Sequence, residues 1–358
     1  MRQELLRGPF PSKALRVFDG GVATAKLAVV GDKTFGFIDR HGRECSSSRY
    51  WWAAGLSNGF VEVQSSEWSN FGFANRQGVL VCGKQLFTST CQFLGDVFSV
   101  RRSPERNLWV NADGDDVTPQ GYDFLTPIRE SRSFANEEGE LRLFLIDSFG
   151  EKVCCLADYW IGSQHLSEGM FWAWKERDQI YLYAIDKDGN VVLEIPEHVM
   201  KIDLVRGYSE GLAAFCVDLD SDGDQISAGF LNKAGEVEIP QVFSGCYSFS
   251  EGLAAVRNEA GQWGFINKTG AYVIAAQFEA VEPFANGKAA VQLREDPGSW
   301  TYVDMDGCVV TDQTFFAAHP FSEGLALVEE TDDGCHSILK EDGTLIKIKP
   351  RVPEQMGQ

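Results

Sequence analysis

Basic side chains are scarce in this 358-residue chain. It has 32 Lys and Arg against 52 Asp and Glu, a net charge of -20. That balance excludes a protein built to grip nucleic-acid phosphates, which requires clustered cations. It fits a basic protein partner, metal cations, or solubility alone. No apolar run approaches the about 18 residues of a membrane span. The opening MRQELLRGPFPSKALRVF lacks the apolar stretch of a signal peptide. The nine cysteines include no Cys-x-x-Cys pair, and the adjacent Cys154 and Cys155 are awkward partners for a mutual disulfide. They read as mostly buried or half-buried thiols in a reducing compartment, so a cytoplasmic location is expected. Catalytic signatures are missing as well. No G-x-S-x-G, H-E-x-x-H, phosphate loop or dinucleotide fingerprint stands in the right context. The five histidines (His41, His165, His198, His319, His336) show no ligand spacing.

What is present in abundance is repetition. FSEGLAAV at 249 returns as FSEGLALV at 321, YSEGLAAF at 208, FANGKAAV at 284 and LSEGMFWA at 166, with a weaker echo, LSNGFVEV, at 56. A second phrase, WGFINKTG, returns with its last glycine at 42, 78, 114, 150, 189, 235, 270, 307 and 343. The gaps are 36, 36, 36, 39, 46, 35, 37 and 36 residues. About nine units therefore fill residues 18–348, between a lead-in of 1–17 and a tail of 349–358, and no separate catalytic domain fits.

Each unit has a local reading. Ser-Glu-Gly is turn chemistry, with glycine able to take positive φ. LAAV opens a strand with small residues at its centre. In WGFIN, Trp263, Phe265 and Asn267 alternate with Gly264 and Ile266, as in a second strand. Asn or Asp, two variable residues and Gly suit a hairpin closed by a glycine bulge. A third strand such as AYVIAA completes a meander too small to bury its apolar face alone, so neighbours must stack.

The unit resembles the bacterial WG repeat, also called the KWG repeat, from about residue 18 to about residue 348. Trp263-Gly264 carries the signature pair. Elsewhere it has drifted, to Phe35-Gly36, Phe71-Gly72, Ala228-Gly229, Trp300-Thr301 and His336-Ser337, and Leu143-Phe144 and Leu182-Tyr183 have lost it. The resemblance implies a bacterial repeat protein and brings no general catalytic motif. Units of 36 residues and three strands favour an all-β, open, curved stack over a closed β-propeller, whose blades usually have four strands and about 40–50 residues.

Three groups of residues stand out as candidate sites. The recurring Glu168, Glu210, Glu251 and Glu323, like Asp39, Asp147, Asp186 and Asp304, read as turn residues, because an active site needs its acid and base once. Asp218, Asp220, Asp222 and Asp224 surround Gly223 in the longest unit, as a calcium loop begins. Gly229 stands where that loop's bidentate Glu belongs, and a solvated acidic hairpin tip is the alternative. Aromatic density is the third: Trp51, Trp52, Phe171, Trp172 and Trp174 could anchor a protein or stack on sugar rings, or fill seams between units.

Long repeat surfaces usually bind macromolecules. The expected function is a non-enzymatic scaffold for a protein partner, a basic one by charge, such as an immunity or inhibitor protein neutralising a toxin. No cofactor is expected beyond the calcium possibility. The alternatives are a glycan- or small-ligand-binding module on the aromatic patch, and an enzyme with its site in the irregular units 4 to 6.

Overall fold

The computed structural model describes residues 18–29, 32–46, 48–55, 59–65, 71–81, 89–94, 97–103, 106–111, 113, 115–118, 122, 124–126, 129–136, 143–161, 166–177, 180–196, 202, 204–218, 226–296, 298–332 and 336–348. The described residues form nine antiparallel sheets, numbered here in chain order. The chain divides into two bodies. One comprises Met1–Phe10 and Ser89–Pro283, the other Pro11–Thr88 and Phe284–Gln358.

In the first body, sheet 7 shows the pattern most clearly. Its strands Gly245–Cys246, Ala254–Arg257, Trp263–Ile266 and Tyr272–Phe278 lie side by side in chain order. The first two are joined by Ser-Glu-Gly. Ser250 N–H donates to the Leu253 carbonyl at 2.8 Å, and Glu251 and Gly252 both take positive φ, 54° and 85°. That is the tight hairpin whose twist suits flanking strands. The third and fourth strands are joined by Asn-Lys-Thr-Gly, where the Asn267 side chain accepts the Thr269 and Ala271 N–H groups and Gly270 has φ 81°. Sheets 4, 5 and 6 repeat the four-strand order.

The signature glycine has a steric cause. Trp263 pairs with Phe278 and Phe265 with Ile274, so three residues of the fourth strand bulge across one residue, Gly264. A Cβ there would lie 2.7 Å from Ala276 N and Cα. Gly229 in sheet 6 faces the same bulge, with Ile239 O at 2.6 Å. Where the pair has become Leu182-Tyr183, the fourth strand follows Tyr183 and Ala184 in step, and a side chain fits.

Successive sheets in the first body are stapled by Ser-Glu-Gly itself. The Glu130 carboxylate accepts the Glu168 and Gly169 N–H groups, Glu168 accepts Gly211 N–H, and Glu210 accepts Gly252 N–H at 3.1 Å. The serine hydroxyls donate forward to carbonyls, Ser167 to Tyr208 and Ser209 to Phe249. Core packing runs between the same neighbours. Phe171 meets Phe134 of sheet 4 edge-on at 4.9 Å, and Trp172 stacks on Tyr208 of sheet 6 at 5.4 Å.

The second body contains the two ends of the repeat array, and they meet. Ser322 Oγ donates to the Phe18 carbonyl at 2.7 Å, and Glu323 accepts Gly20 and Gly21 N–H at 2.7 and 2.8 Å. These are the staples of the first body, now made by the last repeat on the first. Phe18, Ala23, Ala25, Leu27 and Ile38 share one buried cluster with Leu325, Leu327 and Ile338. Gly42 sits against the last strand, where a Cβ would lie 3.1 Å from Lys347 O.

The expected open stack of three-stranded units is therefore corrected in both respects. The complete sheets are four-stranded meanders of the β-propeller type, and first and last repeats interlock, leaving no free array end. The missing strand precedes each Ser-Glu-Gly turn and is often two residues long, as in Gly245–Cys246 and Trp160–Ile161. It is too short to show a period of two.

The seam makes a quantitative prediction. Glu323 has φ 52°, a conformation that glycine holds without cost. Glu323→Ala loses the carboxylate and keeps the unfavourable backbone, with an expected loss of about 2 kcal/mol. Glu323→Gly should lose about 1 kcal/mol less, since the backbone strain goes with the side chain. Denaturant titration of both variants checks the order, and equal losses would refute the strain component.

Candidate functional site

The repeated carboxylates are consumed by the fold. Besides its staple, Glu168 takes an ion pair from Lys233 at 2.9 Å, and Glu210 one from Lys268 at 3.1 Å. Burial works against the Glu168 charge, but Lys233 and the Gly211 N–H outweigh it and hold the carboxyl below its usual range. The aspartates of the second turn type are engaged in the same way. Asp39, Asp147, Asp186 and Asp304 each accept two backbone N–H groups of their own turn.

The aromatic residues do not form one exposed patch. Phe171 and Trp172 are fully buried in two different clusters, and Trp174 packs partly buried beside the second of them. Buried rings offer no face to a ligand. Trp51 and Trp52 belong to the other body, where Trp51 is 42% exposed and Trp52 packs against the cluster of Phe37 and Tyr50. Of the acidic run, Asp218 ends the second strand of sheet 6, and Asp220, Asp222 and Asp224 lie outside the described residues.

Sequence spacing concealed one cluster. His319, Glu329 and His336 place their side-chain ligand atoms within 4.8 Å of one another. Glu329 Oε1 is 3.2 Å from His336 Nε2 and 4.0 Å from His319 Nε2. Pairing of the second and third strands of sheet 9 sets Glu329 directly opposite His336, a relation invisible without the register. Its chemistry argues against a metal. His336 Nδ1 accepts Lys26 N–H at 2.7 Å, so the neutral ring carries its hydrogen on Nε2, facing Glu329. A metal on Nε2 would move that hydrogen to Nδ1, against the Lys26 N–H. His336 thus links Glu329 of the last sheet to Lys26 of the first.

The surface least explained by folding lies on the fourth strands of sheets 5, 6 and 7, Val191–Pro196, Val237–Phe243 and Tyr272–Phe278. Val191, Val192, Val237, Val242, Tyr272 and Val273 are exposed there. The strands are neighbours in space. Gly235 packs on Leu193, Gly270 on Ile239, and the Phe243 and Tyr272 rings meet edge-on at 6.3 Å. Exposed Glu194, Glu236, Glu238 and Glu279 accompany the apolar residues, and the three strands contain no Lys or Arg. Pro196 and Pro240 interrupt the donor rows of these edge strands, a common guard against uncontrolled pairing. Arg177, which follows the second strand of sheet 5, lies 3.5 Å from Glu194, and the other three carboxylates border an exposed apolar track that folding alone does not require.

Comparison with known proteins agrees with the repeat pattern. The model of the WG-containing repeat family matches residues 229–260 and 263–295. Each match begins in the third strand of one sheet and ends after the second strand of the next, so a sequence repeat and a sheet are out of phase. No curated protein matches the chain. Among solved structures, a eukaryotic initiation factor is similar at 11% identity, covering 82% of this chain and 96% of its own, with TM-score 0.47. BamB from Moraxella catarrhalis, a β-propeller, is similar at 10% identity over 93% of this chain and 98% of its own, with TM-score 0.43. AztD from Citrobacter koseri gives 9%, 94%, 94% and 0.38. Residues 229–295, which include the Trp263-Gly264 pair, thus match two successive WG-containing repeats, and the same turn pattern recurs through the described sheets.

Proposed function

We propose that this chain is a non-enzymatic scaffold for a protein partner, docked on the fourth strands of sheets 5 to 7. The observation that carries this is the apolar track of Val192, Val237, Val242 and Tyr272, bordered by carboxylates and free of Lys and Arg along its strands. Such a surface favours a partner with apolar anchors ringed by basic side chains. An immunity or inhibitor protein that neutralises a basic toxin in a bacterial cytoplasm is one form of such a scaffold.

The test is affinity capture from the native host's lysate at low and high salt, with mass spectrometry of the retained proteins. A stoichiometric basic protein should be held at low salt and lost at high salt, because exposed charge pairs are screened. Glu236→Lys with Glu238→Lys should abolish capture, and Val242→Lys should weaken it at least tenfold, about 1.4 kcal/mol. Capture unchanged by these substitutions would move the partner elsewhere on the molecule.

A further inference from the structure

Among the described residues the cysteines do not share one environment. Cys45, Cys155 and Cys308 are exposed, Cys154 is half-buried, and Cys216 and Cys246 are buried, at 8% and 6% exposure. The expectation of mostly buried or half-buried thiols fits Cys154, Cys216 and Cys246 and not the three exposed ones. Cys216 lies in the second strand of sheet 6 and Cys246 in the first strand of sheet 7. Both belong to one core cluster with Leu212, Ala228, Phe230 and Val256, and Cys216 is the neighbour that acts most strongly on the Cys246 thiol.

Neither cysteine follows the repeat pattern. Strand pairing places Cys216 opposite Leu204, as Arg257 is opposite Gly245, Glu329 opposite Ala317 and Gln64 opposite Trp52. Sheets 2, 7 and 9 thus carry long polar side chains, and sheet 5 carries Trp174, where sheet 6 has a thiol. Cys246 opposes Val256, where the corresponding residues of other sheets are Ile161, Ala318 and Ala53. Two departures from pattern, in adjacent sheets, meet at one point. A local break in otherwise consistent rules marks a functional or strained place.

We propose that Cys216 and Cys246 are a latent disulfide, closed by a peroxide, that covalently joins sheet 6 to sheet 7. One thiolate attacks a peroxide oxygen and becomes a sulfenic acid. The second thiol sulfur then attacks that sulfur and expels water. Overall two thiols lose two protons and two electrons, and hydrogen peroxide is reduced to two waters. The positive charge of Arg206 favours the Cys246 thiolate. Cys216 and burial oppose it and push the Cys246 thiol well above its usual range. The reaction is therefore slow and reserved for small oxidants that reach the cluster.

The experiment treats the full native chain with hydrogen peroxide, then unfolds it in a thiol-blocking alkylator and maps the peptides. The expected product is a Cys216–Cys246 linked peptide, lighter than the two free peptides by two hydrogens. The melting temperature should rise by several degrees and return on reduction. Cys216→Ser and Cys246→Ser should each remove the link while leaving oxidation of Cys45, Cys155 and Cys308 unchanged. Recovery of alkylated Cys216 and Cys246 after those exposed thiols are fully oxidised would overturn the proposal, as would a link from either residue to a different cysteine.

Discussion

Glu62→Gln and Glu282→Gln should each make the protein more stable at pH 8 and flatten its stability between about pH 4.5 and pH 7. Glu62 stands between the buried Val61 and Val63 in the second strand of sheet 2, and Glu282 follows the short strand Ala280–Val281 of the first body. Burial pushes each carboxyl from 4.5 up to about 7. The folded state therefore holds the proton more tightly than the unfolded chain. Stabilisation by the neutral acid is complete below 4.5, and it is lost as pH rises through 7. At one pKa unit per 1.36 kcal/mol the swing is about 3 kcal/mol for each residue. Glutamine keeps the shape and removes the charge. Denaturant midpoints across pH 4 to 8 provide the measurement, and variant profiles parallel to wild type would show that these carboxyls stay ionised in the fold.

Gly264→Ala should cost about 3 kcal/mol or more, among the largest effects of any single methyl in the molecule. The obstacle is main chain, Ala276 N and Cα at 2.7 Å and Ile274 O at 2.7 Å, and main chain in a paired strand cannot swing aside as a side-chain end can. Gly245 is the control. A Cβ there meets only the Trp263 ring at 3.6 Å and Arg257 Cβ at 3.7 Å, ordinary contacts, so Gly245→Ala should stay within about 0.5 kcal/mol of wild type. Thermal unfolding of the two variants separates the steric demand of the WG pair from the general entropy of glycine. Equal tolerance would mean that the fourth-strand bulge is soft.

Much of this fold could be read before any coordinates. The turn glycines at 42, 78, 150, 189, 235, 270, 307 and 343 all take positive φ, as their spacing required. Ser-Glu-Gly was legible as a turn, and its glutamates as structural. The inter-sheet staple was not, because its acceptors and donors on the far side are main-chain groups that leave no mark in a sequence. Closure hid in altered spelling. Phe18-Asp19-Gly20-Gly21 performs in the first repeat what Phe-Ser-Glu-Gly performs later, with Gly20 at φ 58° in place of the glutamate. Arg129-Glu130-Ser131 is the same turn without any glycine, Glu130 and Ser131 at φ 50° and 64°. Density of aromatic residues marked Phe171 and Trp172 as unusual without revealing that they fill the gaps to sheets 4 and 6. His319 and His336 show no ligand spacing in the sequence because it is strand pairing that brings Glu329 to them.

The staples bear on how such a chain changes over evolutionary time. Ser167 and Ser209 donate to carbonyl oxygens, and Glu168 and Glu210 accept amide hydrogens. Each joint therefore recognises the backbone of its neighbour, whatever residues that neighbour carries. Duplication or exchange of a repeat by recombination brings a ready-made joint at both ends. The fourth-strand residues, which take no part in the joints, can diverge one repeat at a time while the framework is inherited intact.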